Sequence, residues 1–220
     1  IDGEITILAL GRLGIRALTV HSDLDLVVVF QADATTQSNG DRAVGATAYF
    51  ARLTQTFVNW LSRPTAEGSL YEVDMRLRPD GEKGAVAVSI DRFTNYYEKE
   101  AWIWEKLALA KARIITDPAR ASSAVTALTK AIHRPTQQPI GLPTVGKAVI
   151  DMRRRLRDAY GSASALQLRR FPGGTAELDL LIQGLRLVHA DLFTGTGQSQ
   201  IDIISTLASA KRISQTHGAN

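Results

Sequence analysis

The stretch Val20–Phe30, "VHSDLDLVVVF", places two aspartates, Asp23 and Asp25, at the start of an otherwise apolar run. The residues Leu26–Phe30 are typical of a strand that is buried on both faces. A buried carboxylate is strongly unfavourable unless it is paired with a cation or bound to a metal ion. The two aspartates therefore need a partner that neutralises them.

A third acid elsewhere in the chain suggests what that partner is. Because side chains alternate along a strand, Asp23 and Asp25 share one face, with Cβ atoms roughly 6–7 Å apart. Asp74 lies in "LYEVDMRLRP", Leu70–Pro79, whose strict alternation predicts a strand with one polar face. Three carboxylates in one patch would select Mg²⁺ or Mn²⁺ for phosphoryl or nucleotidyl transfer. From the two aspartates alone, a turn or capping role is an equally good explanation.

Basic residues near these acids are candidate nucleotide ligands. Arg76 and Arg78 alternate with Asp74 on the predicted polar face, where they would meet phosphate oxygens in a bidentate fashion. An exposed, salt-bridged strand face is the alternative explanation. Lys111 belongs to a helix predicted over Asp91–Ile115 and is a further candidate for phosphate binding, although a solvated helix face explains it equally well.

The composition sets limits on the function. The 220 residues are 45% hydrophobic and 22% charged, which is ordinary for a globular protein. The net charge of +4 is spread over 22 acidic and 26 basic residues, so we expect no nucleic-acid partner. No apolar run approaches the ~18 residues of a membrane span, and we expect no membrane partner. The start at Ile1 suggests a fragment of a longer protein, and a cytoplasmic location is the default expectation.

Two regions differ in their periodicity. Strand and helix signals are mixed up to Ser89, whereas almost every later segment has helical spacing. The stretch "RPTQQPIGLP" contains three of the seven prolines and is typical of a linker. The sequence therefore predicts an α+β fold with a catalytic domain over residues 1–117 and a helical bundle over residues 118–220.

Several motifs resemble one enzyme family. "LALGRLGIRALTVHSDLDLVVVF" is similar to the nucleotidyltransferase signature of the DNA polymerase beta-like superfamily. "GSLYEVDMRLRPDGEKGAVAVS", "YYEKEAWIWEKLALAKARII" and "PGGTAELDLLIQ" resemble glutamine synthetase adenylyltransferase, and they occur in the expected order over most of the chain. The resemblance implies a small mixed sheet with helices, followed by an α-helical bundle.

The resemblance also implies an activity. It points to Mg²⁺- or Mn²⁺-dependent transfer of AMP from ATP to a tyrosine of glutamine synthetase, in the control of nitrogen assimilation. A PII-type signalling protein would act through the full-length enzyme. The chain is long enough for one of the two similar halves of such enzymes, and "TAEGSLYEVDMRLRP" favours the C-terminal, adenylylating half. The phosphorolytic, deadenylylating half and a catalytically silent binding module are the alternatives.

Site residues follow from the same resemblance. Asp23 and Asp25 match the metal-binding pair of the family, and Asp74 matches its third catalytic acid. Gly11 and Ser22 match the turn that cradles the phosphates. These assignments are expectations that depend on the family likeness.

Overall fold

The structure is a computed structural model, which describes residues 1–115, 122–160, 167–169 and 171–214. The chain divides into two compact units. The first contains Ile1–Ala101 and Lys111–Pro135, and the second contains Trp102–Ala110 and the described residues from Thr136 onward. The predicted domain boundary at residue 117 lies outside the described residues, and the first unit continues beyond it.

A mixed sheet dominates the first unit, and its strands are β1 (Glu4–Ala9), β2 (Leu24–Gln31), β3 (Val73–Asp74), β4 (Ala87–Ser89) and β5 (Arg113–Ile114). β1 runs antiparallel to β2, with Ile5 opposite Phe30, and β5 pairs antiparallel with β1. β3 and β4 both run parallel to β2, on the edge away from β1. This arrangement confirms the predicted α+β class.

The core of the first unit is built on β2. Residues Leu26–Phe30 are at most 2% exposed, as expected for a strand covered on both faces. Phe30 stacks on Phe50 of the helix α2 (Ala46–Leu61), with ring centroids 4.6 Å apart. Burial of each large apolar side chain stabilises the fold by about 1.5–3 kcal/mol, so β2 is a firm support for the residues at its amino end.

The strand predicted over Leu70–Pro79 is wrong outside Val73–Asp74. Only Val73–Asp74 pairs as a strand, and the chain then leaves the sheet in a loop of turns with a short 3₁₀ helix at Gly81–Lys83. We call residues 75–86 the edge loop. The side chain of Arg78 is buried within this loop rather than lying on a polar strand face. The alternating sequence pattern therefore did not reflect a continuous strand.

The helix predicted over Asp91–Ile115 is also wrong as a single element, and its place is taken by α3 (Ile90–Lys99), α4 (Ile103–Leu109) and β5. The chain turns after α3 because the N–H of Ala101 donates to the carbonyl of Tyr96 at 2.8 Å, one residue beyond helical spacing. α4 then begins anew, since the N–H of Trp102 donates to the Glu105 carboxylate at 2.8 Å.

The remaining helices are α1 (Gly11–Gly14) in the first unit, α5 (Ser123–Gln137), and α6 (Leu142–Tyr160), α7 (Thr175–Val188) and α8 (Gln200–Ser209) in the second unit. α6 and α7 approach closely where Gly184 faces Val149, because an added Cβ would lie 3.0 Å from a valine methyl. The helical character predicted for this part of the chain is confirmed. Among the described residues, no helix is both long and apolar enough to cross a membrane.

Glu177 in the first turn of α7 ties α6 to α7. Its carboxylate accepts hydrogen bonds from Arg153 at 2.7 and 2.9 Å and from Arg157 at 2.8 and 3.2 Å. The backbone N–H of Gly173 donates to it at 3.3 Å. These donors, Arg157 foremost, lower the pKa of Glu177 from its ordinary 4.5 to about 2.

We expect the Glu177→Gln variant to be less stable than wild type near neutral pH. Because the folded-state pKa is lowered, the stabilisation is complete above the ordinary pKa of 4.5 and is lost as pH falls through about 2. Urea unfolding at a series of pH values from neutral to strongly acidic would measure this difference. Asp158→Asn, an exposed acid on α6, is the control, and a pH-independent difference for Glu177→Gln would contradict the prediction.

Candidate active site

Asp25 and Asp74 lie side by side at one edge of the sheet. They are register partners in the parallel pairing of β2 with β3, so their side chains lie on the same face. Neighbouring strands are about 4.8 Å apart, which brings the two acids close together. The pairing is extended by the N–H of Leu24, which donates to the carbonyl of Glu72 at 2.8 Å.

The glycine turn after β1 meets Asp25 directly. A Cβ at Gly11 would lie 2.0 Å from Oδ2 of Asp25, and Gly11 has a φ of +51°. The N–H of Leu10 also donates to the backbone carbonyl of Asp25 at 2.9 Å. Only glycine fits this position, because a side chain would overlap the carboxylate and the backbone conformation is unfavourable for other residues.

The Asp74 carboxylate is held by Arg76. Nε of Arg76 donates to both carboxylate oxygens at 3.0 Å, and Nη2 donates to Oδ2 at 2.6 Å. The backbone N–H of Arg76 adds a bond of 2.8 Å to Oδ1. The Arg76 hydrogen bonds lower the pKa of Asp74, with burial acting in the opposite direction. Asp74 is therefore an ionised carboxylate at neutral pH.

Asp23 is exposed at the entrance to β2, two residues before Asp25. Hydrogen bonding and charge from Asp74 raise the pKa of Arg76, and the charges of Glu82 and Asp23 add to that effect. Asp23 thus belongs to the same electrostatic environment as Asp74 and Arg76. The structure brings acids from two strands and one guanidinium into a single charged patch.

The donor chemistry of this patch fits Mg²⁺ or Mn²⁺, since hard divalent cations prefer carboxylate oxygens. The missing side chain at Gly11 lets the Asp25 carboxylate pack directly against the glycine turn. As the side chains stand, no group of three His, Asp or Glu residues within the described part of the chain is arranged to hold a metal ion. Nε of Arg76 donates to both oxygens of the Asp74 carboxylate. A metal at Asp74 would have to displace Arg76.

Arg78 has a different surrounding from the one expected. Its side chain is 8% exposed, and its N–H groups donate to the carbonyls of Met75 at 2.7 Å, Ala85 at 3.1 Å, Gly84 at 3.1 Å and Glu82 at 3.2 Å. This corrects the expectation that Arg78 faces a phosphate. Its guanidinium instead lies inside the edge loop and donates to carbonyls near both ends of that loop.

Ser22 is engaged within the turn that precedes β2. Its buried Oγ accepts the N–H of Thr19 at 2.9 Å and lies 3.0 Å from Oγ1 of Thr19. Arg12 donates to the same threonine oxygen at 3.1 Å. The turn carrying Ser22 is thereby attached to the glycine turn, and the Ser22 side chain supports the backbone there.

Lys111 lies next to the glycine turn through its backbone. Its carbonyl oxygen is 2.0 Å from where a Cβ of Gly14 would be. Arg113, two residues later, donates to the carbonyls of Leu13 at 2.7 Å and Gly14 at 3.0 Å. The structure therefore places the backbone of Lys111 beside α1, and the Arg113 guanidinium closes the end of α1.

Local sequence patterns miss the roles of Arg78 and Arg113. Arg113 contacts residues 99 and 100 positions away in the chain, and no periodicity predicts such a contact. Arg78 sits in an alternating pattern that favours a strand, so its burial in a loop had no local signal.

Comparison with known proteins agrees with the family resemblance of the sequence motifs. The family model described as "Glutamate-ammonia ligase adenylyltransferase" matches residues 2–128. A bifunctional glutamine synthetase adenylyltransferase/adenylyl-removing enzyme of Bradyrhizobium sp. is 40% identical over 189 residues, which are 85% of this chain and 19% of that protein. The protein of the same name from Caulobacter vibrioides is 38% identical over 190 residues, 86% of this chain and 19% of its own length. The chain thus spans about a fifth of the length of these relatives.

Proposed function

The chain belongs to the glutamate-ammonia ligase adenylyltransferase family, and from that premise we propose that it carries one nucleotidyltransferase site, which moves AMP from ATP to a tyrosine of glutamine synthetase. The observation that carries the proposal is the register of Asp25 with Asp74 beside the Gly11 turn. Regulation through a PII-type protein and a cytoplasmic location are part of the same proposal, as features of the longer enzyme.

In this proposal, Asp23, Asp25 and Asp74 hold the Mg²⁺ or Mn²⁺ ions. When bound, such ions stabilise the charge that develops on pyrophosphate and lower the pKa of an attacking hydroxyl. The glycine turn lies directly against the Asp25 carboxylate, because Gly11 has no side chain, so a nucleotide held at Asp25 would lie beside this turn. Lys111, adjacent to this turn, is a candidate partner for the phosphates.

The chemical step needs an attacking oxygen and an acceptor for its proton. The tyrosine oxygen bonds to the α-phosphorus of ATP, and the bond from that phosphorus to the bridging oxygen breaks to release pyrophosphate. Asp74, which is ionised at neutral pH and whose pKa is lowered by Arg76, orients the hydroxyl and accepts its proton. A tyrosine hydroxyl has an ordinary pKa of about 10, so this acceptor contributes directly to the rate.

A transfer assay tests the proposal. The 220-residue chain would be incubated with α-labelled ATP, Mg²⁺ and unmodified glutamine synthetase, and we expect label on the synthetase together with released pyrophosphate. A parallel reaction would contain inorganic phosphate and AMP-modified synthetase. Release of ADP in this second reaction alone would assign the site to the deadenylylating half. Absence of both products would favour a silent binding module.

Arg76 gives a further prediction, because it and a divalent cation would compete for the same carboxylate. We expect Arg76→Ala to bind Mn²⁺ roughly two- to fivefold more tightly, the effect of removing one exposed ion pair. The same variant should transfer AMP roughly 10- to 100-fold more slowly, since a charged hydrogen bond to phosphate is lost. Electron paramagnetic resonance of Mn²⁺ and the transfer assay would measure the two effects.

Arg134→Ala is a closely matched control. Arg134 is 68% exposed and pairs with Glu98 at 2.6 Å, whereas Arg76 is 67% exposed and pairs with Asp74 at the same distance. We expect the control to leave both Mn²⁺ affinity and transfer unchanged. Weaker Mn²⁺ binding by Arg76→Ala would contradict the proposed competition.

A further inference from the structure

The position of Asp74 depends on a very short strand. β3 has two residues, and its pairing with β2 consists of Leu24 with Val73 and Asp25 with Asp74. A slip of one residue along a strand turns each side chain to the opposite face of the sheet. Two register pairs give little resistance to such a slip. Contacts outside β3 are therefore needed to hold Asp74 in position.

The next strand on the same edge is held much more firmly. β4 pairs with β2 at three positions, and its residues Ala87 and Val88 are buried in the core. The edge loop connects Asp74 to β4. A contact that fixes the distance between the start and the end of this loop therefore holds Asp74 in the position set by the pairing of β4.

Arg78 makes that connection. At one end of the edge loop it donates to the carbonyl of Met75, the residue that follows Asp74, at 2.7 Å. At the other end it donates to the carbonyls of Gly84 and Ala85, which precede β4, at 3.1 Å each. A buried guanidinium that is bound to both ends of a loop fixes their separation, because its planar fork has a rigid geometry.

The outside of the edge loop is held by different contacts. Arg92 of α3 donates to the Asp80 carboxylate at 2.7 Å, and the hydroxyl of Tyr97 lies 3.4 Å from the carbonyl of Leu77. Neither contact includes the residues next to Asp74 or β4. Arg92 is therefore a suitable comparison, since it supports the same loop without joining its two ends.

We propose that Arg78 is a positioning residue of the transfer site, which holds Asp74 in register with Asp25 by tying the residue after Asp74 to the residues before β4. This inference rests on the function proposed above. It differs from a general structural role because it predicts loss of metal affinity and turnover in a protein that still folds.

The test compares Arg78→Lys with Arg92→Lys in the 220-residue chain. Lysine keeps the charge but its single ammonium group cannot reach both ends of the loop as the guanidinium does. We expect Arg78→Lys to bind Mn²⁺ roughly 10- to 100-fold more weakly, the usual effect of removing a group that orients a metal ligand. Its kcat should fall by a similar factor with a smaller change in the KM for ATP, and Arg92→Lys should retain wild-type values.

Gly84→Ala is the second variant, because an added Cβ would lie 2.2 Å from the carbonyl oxygen of Pro79 and distort the same loop. Circular dichroism and thermal melting would establish which variants fold. If Arg78→Lys does not fold, the Mn²⁺ affinity and kcat of Gly84→Ala are judged by the same criteria. If neither variant folds, Arg78 has only a structural role and the inference is overturned.

The remaining outcomes separate this inference from the proposed function. A folded Arg78→Lys with wild-type Mn²⁺ affinity and kcat overturns the role of Arg78. Equal losses of Mn²⁺ affinity and kcat in Arg78→Lys and Arg92→Lys overturn it as well, because any loosening of the edge loop would then be enough to displace Asp74. A wild-type chain that binds no Mn²⁺ and transfers no AMP would instead overturn the proposed function.

Discussion

Replacement of Asp25 by Asn is expected to abolish AMP transfer while the first unit remains folded. Asn has nearly the same shape as Asp, so it fits beside Gly11, where a Cβ would lie 2.0 Å from the Asp25 oxygen. It removes one negative charge from a patch that also contains Asp23 and Asp74, which relieves repulsion and leaves stability equal or slightly higher. The lost charge weakens metal binding, and the departing pyrophosphate is then no longer stabilised.

We expect transfer to fall by roughly 100- to 1000-fold or more, the range seen when one preorganised electrostatic contact to a transition state is removed. Asp23→Asn should behave in the same way. Calorimetry with Mg-ATP, a melting curve and the transfer assay would be run on each variant. Asp41→Asn changes the charge equally at an exposed position elsewhere in the first unit and should have no effect.

Near wild-type transfer by Asp23→Asn and Asp25→Asn would mean that the two aspartates are structural and that the domain is a binding module. Asp74→Asn should lower turnover and the affinity for Mn²⁺ strongly, as Arg78→Lys should, because Asp74 is proposed to hold a metal ion and to act on the tyrosine hydroxyl. Mg-ATP binding should be largely retained through Asp23 and Asp25. It should also be slightly less stable than wild type, since the ion pair of Asp74 with Arg76 is lost.

The sequence predicts the parts of this site that depend on local patterns. The apolar run before Phe30 identifies β2, and the two aspartates at its start follow from the same stretch. Gly11 is recognisable as a turn residue because two glycines follow the β1 pattern closely. The α+β class follows from the change in periodicity after Ser89.

Individual hydrogen bonds that the periodicity does not reveal determine the rest. The break after α3 depends on the Ala101 N–H reaching Tyr96 and on a new helix start at Trp102, whereas the apolar spacing through this region continues without interruption. The edge loop depends on Arg78 reaching carbonyls four to seven residues away. Periodicity describes which face of an element is apolar, and it contains no information on where a side chain ends a strand or a helix.

Arg186 in α7 is a similar case in the second unit, with a consequence for stability. Its side chain is 0% exposed, although arginine is rarely buried completely. The guanidinium donates to the carbonyl of Thr136 at 3.1 Å, to Oε1 of Gln198 at 3.2 Å and to the carbonyl of Gly195. It also lies 5.2 Å from the centre of the Phe193 ring. Burial lowers the pKa of Arg186 to about 10.

These three acceptors of Arg186 are neutral, so its guanidinium holds the segment that follows α7 by hydrogen bonds rather than by an ion pair. We expect Arg186→Met to lower the free energy of unfolding by about 3 kcal/mol, because the carbonyls of Thr136 and Gly195 and the amide oxygen of Gln198 lose a charged donor. Methionine fills much of the volume and removes the unfavourable buried charge, so the loss is smaller than three separate hydrogen bonds would suggest. The melting temperature should fall by roughly 6–12 °C.

Thermal melting and urea unfolding of Arg186→Met, Arg186→Lys and Arg155→Met would measure the effect. Arg155 lies exposed on α6, so its substitution removes the same side chain without loss of buried contacts and should leave stability nearly unchanged. Arg186→Lys keeps a positive charge but loses the fork that reaches three acceptors, and we expect most of the full destabilisation. If Arg186→Met were as stable as wild type, the buried charge would outweigh its hydrogen bonds, and the segment after α7 would be held by Phe193 and its apolar neighbours instead.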